Sequence, residues 1–360
     1  MEYPIERIFL EAGVETLPVT QEIVARFPGL PAEIVDEPDP IFRPLLQEGD
    51  PQGAGKQVLF LSSFPGAFVK KCPGTQGFIC CNYTVLNAAT GCPLDCTYCI
   101  LQLYLRNNPI LRIFVNTGEI LSRLETLFAA RPGRIFRIGT GELTDSLALD
   151  PLTGLSRELV PFFARQTNAL LELKTKTDHI ENLLDLDPRG RTVIGWSVNP
   201  EAIITAEERG AASLTDRLLA AKRCRAAGYK IAFHFDPMIL DEGWEGAYSG
   251  VVEAIMRSVD PEGIAWISLG GLRFPPALKE IMRERFPESP IVTGEFIPCP
   301  DGKMRYLRSI RVPAYRKMVE WIRSYGSKVP VYLCMESREV WERVFASAPP
   351  GIENLSGIFR

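Results

Sequence analysis

Histidine is scarce in this chain, with two residues, His179 and His234, among 360. So few imidazoles exclude a histidine-rich zinc site and a proton relay built from several histidines. Cysteine occurs nine times, an odd number spread along the chain, unlike the dense, paired cysteines of small secreted disulfide scaffolds. The cysteines therefore need an explanation in metal binding, chemistry or packing.

Long apolar runs are also missing, since no segment approaches the ~18 consecutive apolar residues that cross a bilayer. The N-terminus carries Glu2, Glu6 and Glu11 instead of the basic start of a secretory signal, so we expect a cytoplasmic protein without a membrane partner. Neither a G-x-x-x-x-G-K-[ST] phosphate loop nor a G-x-S-x-G elbow occurs, which disfavours NTP hydrolysis and serine hydrolysis. The net charge of −4 argues against a protein that coats a polyanion, but it is compatible with a local basic patch.

Short β-like runs alternate with amphipathic helical stretches from residue 82 onward, and this alternation predicts the fold. Six such units indicate a parallel sheet that right-handed crossovers curl towards a barrel. The predicted strands are residues 82–89, 135–140, 171–176, 192–199, 230–239 and 264–271. The predicted helices lie near 97–106, 117–130, 153–168, 179–186, 214–228, 244–259 and 275–286.

The sequence thus predicts an α/β protein with three parts. Residues 1–81, rich in Pro and Gly, form an irregular N-terminal region with one strand at 57–61. Residues 82–290 form a partial (β/α)6 TIM-like barrel. Residues 291–360 form a C-terminal α+β extension with helices near 313–325 and 337–346 and a strand at 329–333.

Three predicted strands place polar side chains on one face near their C-terminal ends. Strands of a parallel barrel are usually apolar, so converging polar positions at this rim indicate a ligand site, although some could simply face solvent at strand ends. The residues concerned are Lys174, Lys176, Gly195, Ser197, Asn199, His234 and Asp236.

The most informative pattern is the C-x₃-C-x₂-C spacing of Cys92, Cys96 and Cys99, in the loop after the first predicted strand. Thiolates are soft ligands that suit iron–sulfur clusters, and electron-transfer clusters ordinarily use four of them. Three cysteines would leave one iron open to bind a substrate. The alternatives are a zinc site completed by Cys72, Cys80 or Cys81, and three buried thiols.

With an aromatic residue, Tyr98, before the third cysteine, this motif resembles that of the radical S-adenosylmethionine superfamily. The resemblance implies a [4Fe–4S] cluster, S-adenosylmethionine (AdoMet) as cofactor, and a Gly-Glu motif after the second strand. That motif reads GTGE at 139–142, so Gly141 and Glu142 are expected to hold the methionine amino group.

Several separated motifs narrow the resemblance to the spore photoproduct lyase family. They are ATGCPLDCTYCILQ, KTKTDH, SVNPEAI and FDPMILDEGWEGAY, in that order. The resemblance implies that Cys92, Cys96 and Cys99 ligate the cluster, and that Lys176, Ser197 and Asn199 approach AdoMet. It also implies opening of a thymine dimer in DNA by a 5′-deoxyadenosyl radical, with an electron donor of the flavodoxin or ferredoxin type.

Two departures affect the return of hydrogen to the product. The family places a cysteine in the loop after the second strand, but this chain has none from 136 to 150, and Ile100 replaces a tyrosine after the third cluster cysteine. One of Cys72, Cys80 and Cys81 could supply the hydrogen or ligate a second metal centre; packing as small hydrophobes is the alternative. His234 and Asp236 are further catalytic candidates, or polar groups that line the barrel.

A basic stretch without acidic residues follows the predicted barrel and suggests contact with DNA. Its candidate contacts are Lys303, Arg305, Tyr306, Arg308 and Arg311, with Arg316 and Lys317 beyond them. A solvated charged face is the alternative. The sequence thus favours a radical AdoMet enzyme that acts on a DNA lesion, over one acting on a peptide or small metabolite, or a non-catalytic iron–sulfur DNA-binding protein. It leaves the oligomeric state open.

Overall fold

The main sheet of the protein is a curled half-barrel of eight strands, seen in a computed structural model that describes residues 3–349 except 65, 73, 75, 76, 326 and 327. Seven neighbouring strands run parallel, and the strand at one edge is antiparallel to its neighbour. From that edge the strands are Val69–Lys71, Tyr83–Leu86, Phe136–Gly139, Ala169–Thr175, Thr192–Ser197, Lys230–Met238, Ile264–Gly271 and Val331–Leu333. The six predicted barrel strands are all present in chain order, which confirms the partial barrel.

The C-terminal extension completes this sheet. Its strand Val331–Leu333 pairs in parallel with Ile264–Gly271 and adds a seventh parallel strand. The hairpin formed by Phe296–Pro298 and Met304–Tyr306 also pairs with Arg273–Phe274, directly after the sixth barrel strand. The basic stretch therefore lies against the C-terminal end of the barrel.

Helices cover the outside of the half-barrel, and local sequence signals explain where they begin and end. Leu214–Ala226 begins after Ser213, whose hydroxyl accepts a hydrogen bond from the Asp216 amide, and Gly228 follows with φ of +94°. The longer helices are Thr117–Ala129, Leu155–Ala164, Leu214–Ala226, Trp244–Ser258, Pro276–Arg285, Arg308–Ser324 and Arg338–Phe345. The shorter helices are Pro18–Ala25, Asp39–Leu45, Pro51–Gly55, Leu101–Tyr104, Asp150–Thr153 and Glu201–Glu207, with 3₁₀ turns at Glu181–Leu183, Pro261–Gly263 and Pro290–Val292.

Three predicted helices are shorter than expected. The helix expected at 153–168 is Leu155–Ala164, which begins after Gly154 with φ of +61°. The helix expected at 179–186 is a single 3₁₀ turn, Glu181–Leu183, because the amides of Leu183 and Leu186 donate to carbonyls three residues back, at Ile180 and Leu183, and not four. The helix expected at 97–106 is reduced to Leu101–Tyr104. Asp95–Cys96 pairs as a short strand with Glu208–Arg209, and the next amide, of Thr97, donates to the Glu207 carbonyl at 2.9 Å, so the chain is not yet helical there. This pairing ties the cysteine loop to the segment after the fourth barrel strand, Thr192–Ser197.

The N-terminal region is more regular than its Pro and Gly content indicates. It supplies three strands of a second sheet, and residues 89–114 supply the other two. Four of the five strands run parallel and one short strand is antiparallel. In spatial order these strands are Ala32–Val35, Arg7–Glu11, Val58–Ser62, Leu111–Phe114 and Ala89–Thr90. Pro18 and Pro51 do not interrupt this region because they occupy the first turns of helices, where their missing amide hydrogen is not needed.

Apolar side chains fill the space between the half-barrel and its helices. Trp196, Phe233 and Phe235 are fully buried in this core, while Leu59 and Leu61 belong to a separate cluster under the N-terminal sheet. No helix within the described ranges has the length and apolar character needed to span a membrane.

Candidate active site

A cavity of about 870 Å³ opens at the C-terminal ends of the barrel strands. This is the end at which parallel barrels bind their ligands. Most of the residues singled out in the sequence meet here. Those that line the cavity are Cys72, Cys92, Cys96, Tyr98, Cys99, Ile100, Gly141, Glu142, Lys174, Lys176, Ser197, Asp236 and Lys303.

The cysteine loop starts at a position that requires glycine. Gly91 has φ of +84°, and a β-carbon there would overlap the carbonyl oxygen of Ile110. Its amide donates to the carbonyl of Leu143, at 2.9 Å, so the loop is bound directly to the segment after the second barrel strand.

Side chains from distant segments hold the backbone of the loop. Lys56 Nζ donates to the carbonyl oxygens of Cys92, at 2.8 Å, and Leu94, at 2.7 Å. From within the loop's own helix, Gln102 Nε2 donates to the carbonyl of Thr97, at 2.8 Å. Arg285 then binds the side-chain oxygen of Gln102, at 2.6 Å. These contacts preorganise the three cysteines before any cofactor binds.

The three thiols of the loop form a donor set that suits an iron–sulfur cluster. All three line the cavity, and Cys92 and Cys96 lie near enough to Cys99 for its charge to raise their pKa values, although burial is the larger cause. Within the described residues, no three His, Cys, Asp or Glu side chains are placed to hold one metal ion. A [4Fe–4S] cluster, which spans the space between three thiolates, suits this donor set.

A buried carboxylate, Glu208, organises one wall of the cavity. Tyr98 Oη donates a hydrogen bond to it, and Lys176 Nζ lies 3.1 Å from both Glu208 Oε1 and Tyr98 Oη. Arg217 binds the other carboxylate oxygen at 2.6 Å. Burial alone would raise the pKa of Glu208, but Lys176 and Arg217 outweigh it and lower the pKa to about 2.

Asn199 lies behind this wall rather than on the cavity surface. Its Nδ2 donates to Glu208 Oε1, at 3.0 Å, and its Oδ1 accepts from the Tyr248 hydroxyl, at 2.7 Å. Ser197 does line the cavity, and its carbonyl accepts from Arg217, at 2.8 Å. Asn199 therefore acts on the cavity through Glu208.

The GTGE segment packs closely against the neighbouring strands. A β-carbon on Gly139 would overlap the Tyr83 hydroxyl and lie 2.7 Å from the Glu172 carbonyl, so only glycine fits. A β-carbon on Gly141 would lie 3.1 Å from Ser146 Oγ. Burial raises the pKa of Glu142, which lines the cavity.

Asp145 fixes the segment that follows GTGE. Its Oδ1 accepts from the amides of Leu147 and Ala148, both at 2.9 Å, and its Oδ2 accepts from the amide of Lys176, at 2.7 Å. One carboxylate thus sets the position of the second loop relative to Lys176.

His234 and Asp236 have different surroundings. His234 is buried below the cavity, where Nδ1 lies 2.7 Å from Ser268 Oγ and Nε2 lies 3.0 Å from Glu172 Oε1. Burial and the charge of Lys174 lower its pKa to about 4, so it is neutral at pH 7. Asp236 lines the cavity and binds Arg273 at 2.7 Å, which lowers its pKa to about 2 despite burial.

Of the three extra cysteines, Cys72 faces the cavity. Burial raises the pKa of its thiol, and the opposing effect of Lys303 is smaller. Cys80 and Cys81 are partly buried and hydrogen-bond to each other. This hydrogen bond, together with burial, raises the pKa of Cys81.

The basic stretch is not one continuous charged surface, because two of its arginines, Arg305 and Arg311, are buried against carboxylates. Arg305 is buried and binds Asp301 at 2.5 Å, and Arg311 is buried and binds Glu336 at 3.0 Å. The exposed Arg308 pairs with Glu339. Tyr306 is also buried; its hydroxyl accepts from the Leu240 amide, at 3.1 Å. Of the five predicted DNA contacts, Lys303 is the one that lines the cavity.

Several residues that shape the site were missed in the sequence. Glu208, Asp145, Lys56 and Arg273 belong to no motif with a fixed spacing. Each acts on a partner at least 31 positions away, such as Glu208 on Tyr98 at a separation of 110 residues. Sequence motifs involve residues close together in the chain, so they cannot reveal such distant pairs.

Solved structures with the same fold extend over nearly the whole chain. A spore photoproduct lyase variant with bound AdoMet and dinucleoside spore photoproduct is 23% identical, with a TM-score of 0.81 over 91% of this chain and 98% of that one. A spore photoproduct lyase complexed with dinucleoside spore photoproduct is 22% identical, with a TM-score of 0.81 over 92% of this chain and 100% of that one.

The half-barrel, with three cysteine thiols in the loop after its first parallel strand, defines a radical S-adenosylmethionine protein. The sequence profile of spore photoproduct lyase matches residues 79–295, more than half of the chain. The chain therefore belongs to the spore photoproduct lyase family. It is 28% identical over 256 residues to the spore photoproduct lyase of Geobacillus sp. (strain Y412MC61). The aligned region covers 71% of this chain and 69% of that protein. It is also 28% identical over 209 residues to the spore photoproduct lyase of Bacillus subtilis (strain 168). Here the aligned region covers 58% of this chain and 61% of that protein.

Proposed function

We propose that this protein is a radical AdoMet enzyme that repairs a DNA lesion of the spore photoproduct kind. The observation that carries the proposal is the convergence of Cys92, Cys96 and Cys99 with Lys176 and the GTGE segment on one cavity. The related structures hold AdoMet and a dinucleoside lesion, and this cavity lies in the same fold. Because the proposed substrate is DNA, we place the protein in the cytoplasm.

The cluster would be held by the three cysteine thiolates, with its fourth iron left for AdoMet. When bound, the two cofactors together supply a carbon-centred radical that abstracts hydrogen, after one electron arrives from a flavodoxin- or ferredoxin-type donor. The chain's own residues position these groups. Glu142 and the backbone at Gly141 would hold the methionine amino group, and Lys176 and Ser197 form the adjoining wall of the cavity.

The test is AdoMet cleavage by anaerobically reconstituted protein with a chemical reductant. We expect 5′-deoxyadenosine from the wild type, faster with ultraviolet-damaged DNA than with undamaged DNA, together with loss of the lesion. Cys96→Ala should bind little iron and form no 5′-deoxyadenosine. Cys224→Ala is the matched control, because Cys224 is buried in a helix outside the cavity. A wild type that forms 5′-deoxyadenosine equally well without damaged DNA, and leaves the lesion intact, would refute repair.

We also propose Cys72 as the donor that returns hydrogen to the product radical. Among the described residues, it is the thiol outside the cluster loop that lines the cavity, and its raised pKa keeps the S–H bond intact at pH 7. Its S–H bond would break as a C–H bond forms on the product. The sulfur radical would then recover a proton and an electron from the reductant.

Individual alanine variants of Cys72, Cys80 and Cys81 test this step. We expect Cys72→Ala to keep its iron and still cleave AdoMet, but to convert lesion into side products instead of repaired thymines. In deuterated buffer, the wild type should place deuterium from the exchanged thiol in the product. Normal repair by Cys72→Ala, with the deficit appearing in Cys80→Ala or Cys81→Ala, would transfer the role to that thiol.

A further inference from the structure

The DNA backbone needs cations that are free to pair with phosphate, and the basic stretch supplies few of them. Its arginines Arg305, Arg308 and Arg311 already bind carboxylates of the protein. Lys174 lines the cavity, but its charge acts on the buried Glu172 and Asp236. Among the described residues at the cavity mouth, two further lysines on the cavity side have no carboxylate within 4.0 Å of the ammonium group. These are Lys70 and Lys303.

Lys70 lies on the edge strand Val69–Lys71, beside the cavity. Side chains alternate along a strand, so Lys70 and Cys72 point to the same side, and Cys72 lines the cavity. The charge of Lys70 reaches Glu142, another lining residue, and partly offsets the effect of burial on its pKa. Lys71, equally exposed, points to the opposite side of the sheet.

Lys303 lies in the hairpin, just before the strand Met304–Tyr306. It lines the cavity, and its charge reaches the Cys72 thiol. Arg273 and Arg305 are close enough to act on its ammonium group, while the nearby Asp301 is occupied by Arg305 at 2.5 Å. Arg273 and Arg305 are paired with Asp236 and Asp301, so Lys303 is the cation here whose charge is not used in an ion pair.

We infer that Lys70 and Lys303 bind two backbone phosphates of DNA and so hold the lesion over Cys72. This inference rests on the proposed function, since it assumes that the cavity receives DNA. Each such contact releases a condensed counterion, so it adds affinity independent of base sequence and makes binding more sensitive to salt. Lysine suits this role as a point charge for phosphate.

The experiment is fluorescence anisotropy of a labelled, ultraviolet-damaged oligonucleotide duplex with the reconstituted protein and AdoMet, across a range of salt concentrations. We expect Lys70→Ala and Lys303→Ala each to weaken binding about five- to tenfold at low salt. Each should also reduce the slope of log K against log salt by about one. Lys71→Ala is the matched control, on the same strand and equally exposed, and should change binding less than twofold.

Two results would overturn the inference while leaving the repair function intact. In one, Lys70→Ala and Lys303→Ala bind DNA with the wild-type affinity and salt slope. In the other, Lys71→Ala weakens binding as much as Lys70→Ala does, which would show that net charge matters and not the face on which the lysine lies. A wild type that binds no damaged DNA would overturn both the inference and the proposed function.

Discussion

Lys176 and Glu208 form an ion pair in the cavity wall, with Nζ 3.1 Å from Oε1. The same carboxylate binds the fully buried Arg217 through its second oxygen. Glu208 thus couples a cavity residue to the helix behind it, and two cations depend on one anion.

Replacement of this anion should destabilise the fold. Glu208→Gln leaves the Arg217 guanidinium buried without a counter-charge, so we expect the free energy of unfolding to fall by about 3–5 kcal/mol. Urea denaturation measures the change. Asp185→Asn is the control, since it removes an exposed partner of Arg157 and should have little effect. If both variants lose a similar amount of unfolding free energy, the buried position of Glu208 does not account for its effect.

Stability should fall in mild acid because of His234. Its pKa is about 4 in the folded protein, against about 6.5 in an unfolded chain, so between these values the unfolded state binds a proton that the folded state does not. The free energy of unfolding should therefore decrease as the pH falls from 6.5 towards 4. Urea midpoints at several pH values should show this slope in the wild type and a shallower one in His234→Gln.

His179→Gln serves as the control for that series, because it keeps His234 and should retain the wild-type slope. If the wild type and His234→Gln lose stability equally as the pH falls, the loss of stability in mild acid is not due to His234.

Two glycines should respond oppositely to alanine. Gly139→Ala places a β-carbon against Tyr83 and the Glu172 carbonyl, so we expect a loss of about 1–3 kcal/mol and a lower Tm. Gly118→Ala meets no atom within 4 Å and lies in the helix Thr117–Ala129, where alanine should add about 0.5–1 kcal/mol. Thermal unfolding followed by circular dichroism compares them; equal Tm values would argue against tight packing at Gly139.

Arg311 should act on folding and not on DNA. Arg311→Ala leaves Glu336 with weaker compensation in a buried position, and we expect a loss of about 3 kcal/mol in unfolding free energy. The salt dependence of DNA binding should match that of the wild type, because the guanidinium is not free to contact phosphate. If Arg311→Ala instead lowers the salt dependence of DNA binding and leaves the unfolding free energy unchanged, Arg311 contacts DNA and the prediction is wrong.

The sequence alone determined the features that depend on neighbouring positions. The spacing of Cys92, Cys96 and Cys99, the GTGE segment and the alternation of strands and helices each occupy a short window, so they could be read without a structure. For the same reason the six barrel strands were predicted correctly.

Only the tertiary structure decided which charges are free and which thiol faces the cavity. Arg311 and Glu336 are 25 positions apart, and Tyr98 and Glu208 are 110 positions apart. A run of arginines looks the same along the chain whether it faces solvent or buried carboxylates. The packing of the C-terminal extension onto the barrel determines which of these arginines are buried. A buried charge is stable only where a partner of opposite charge is buried beside it.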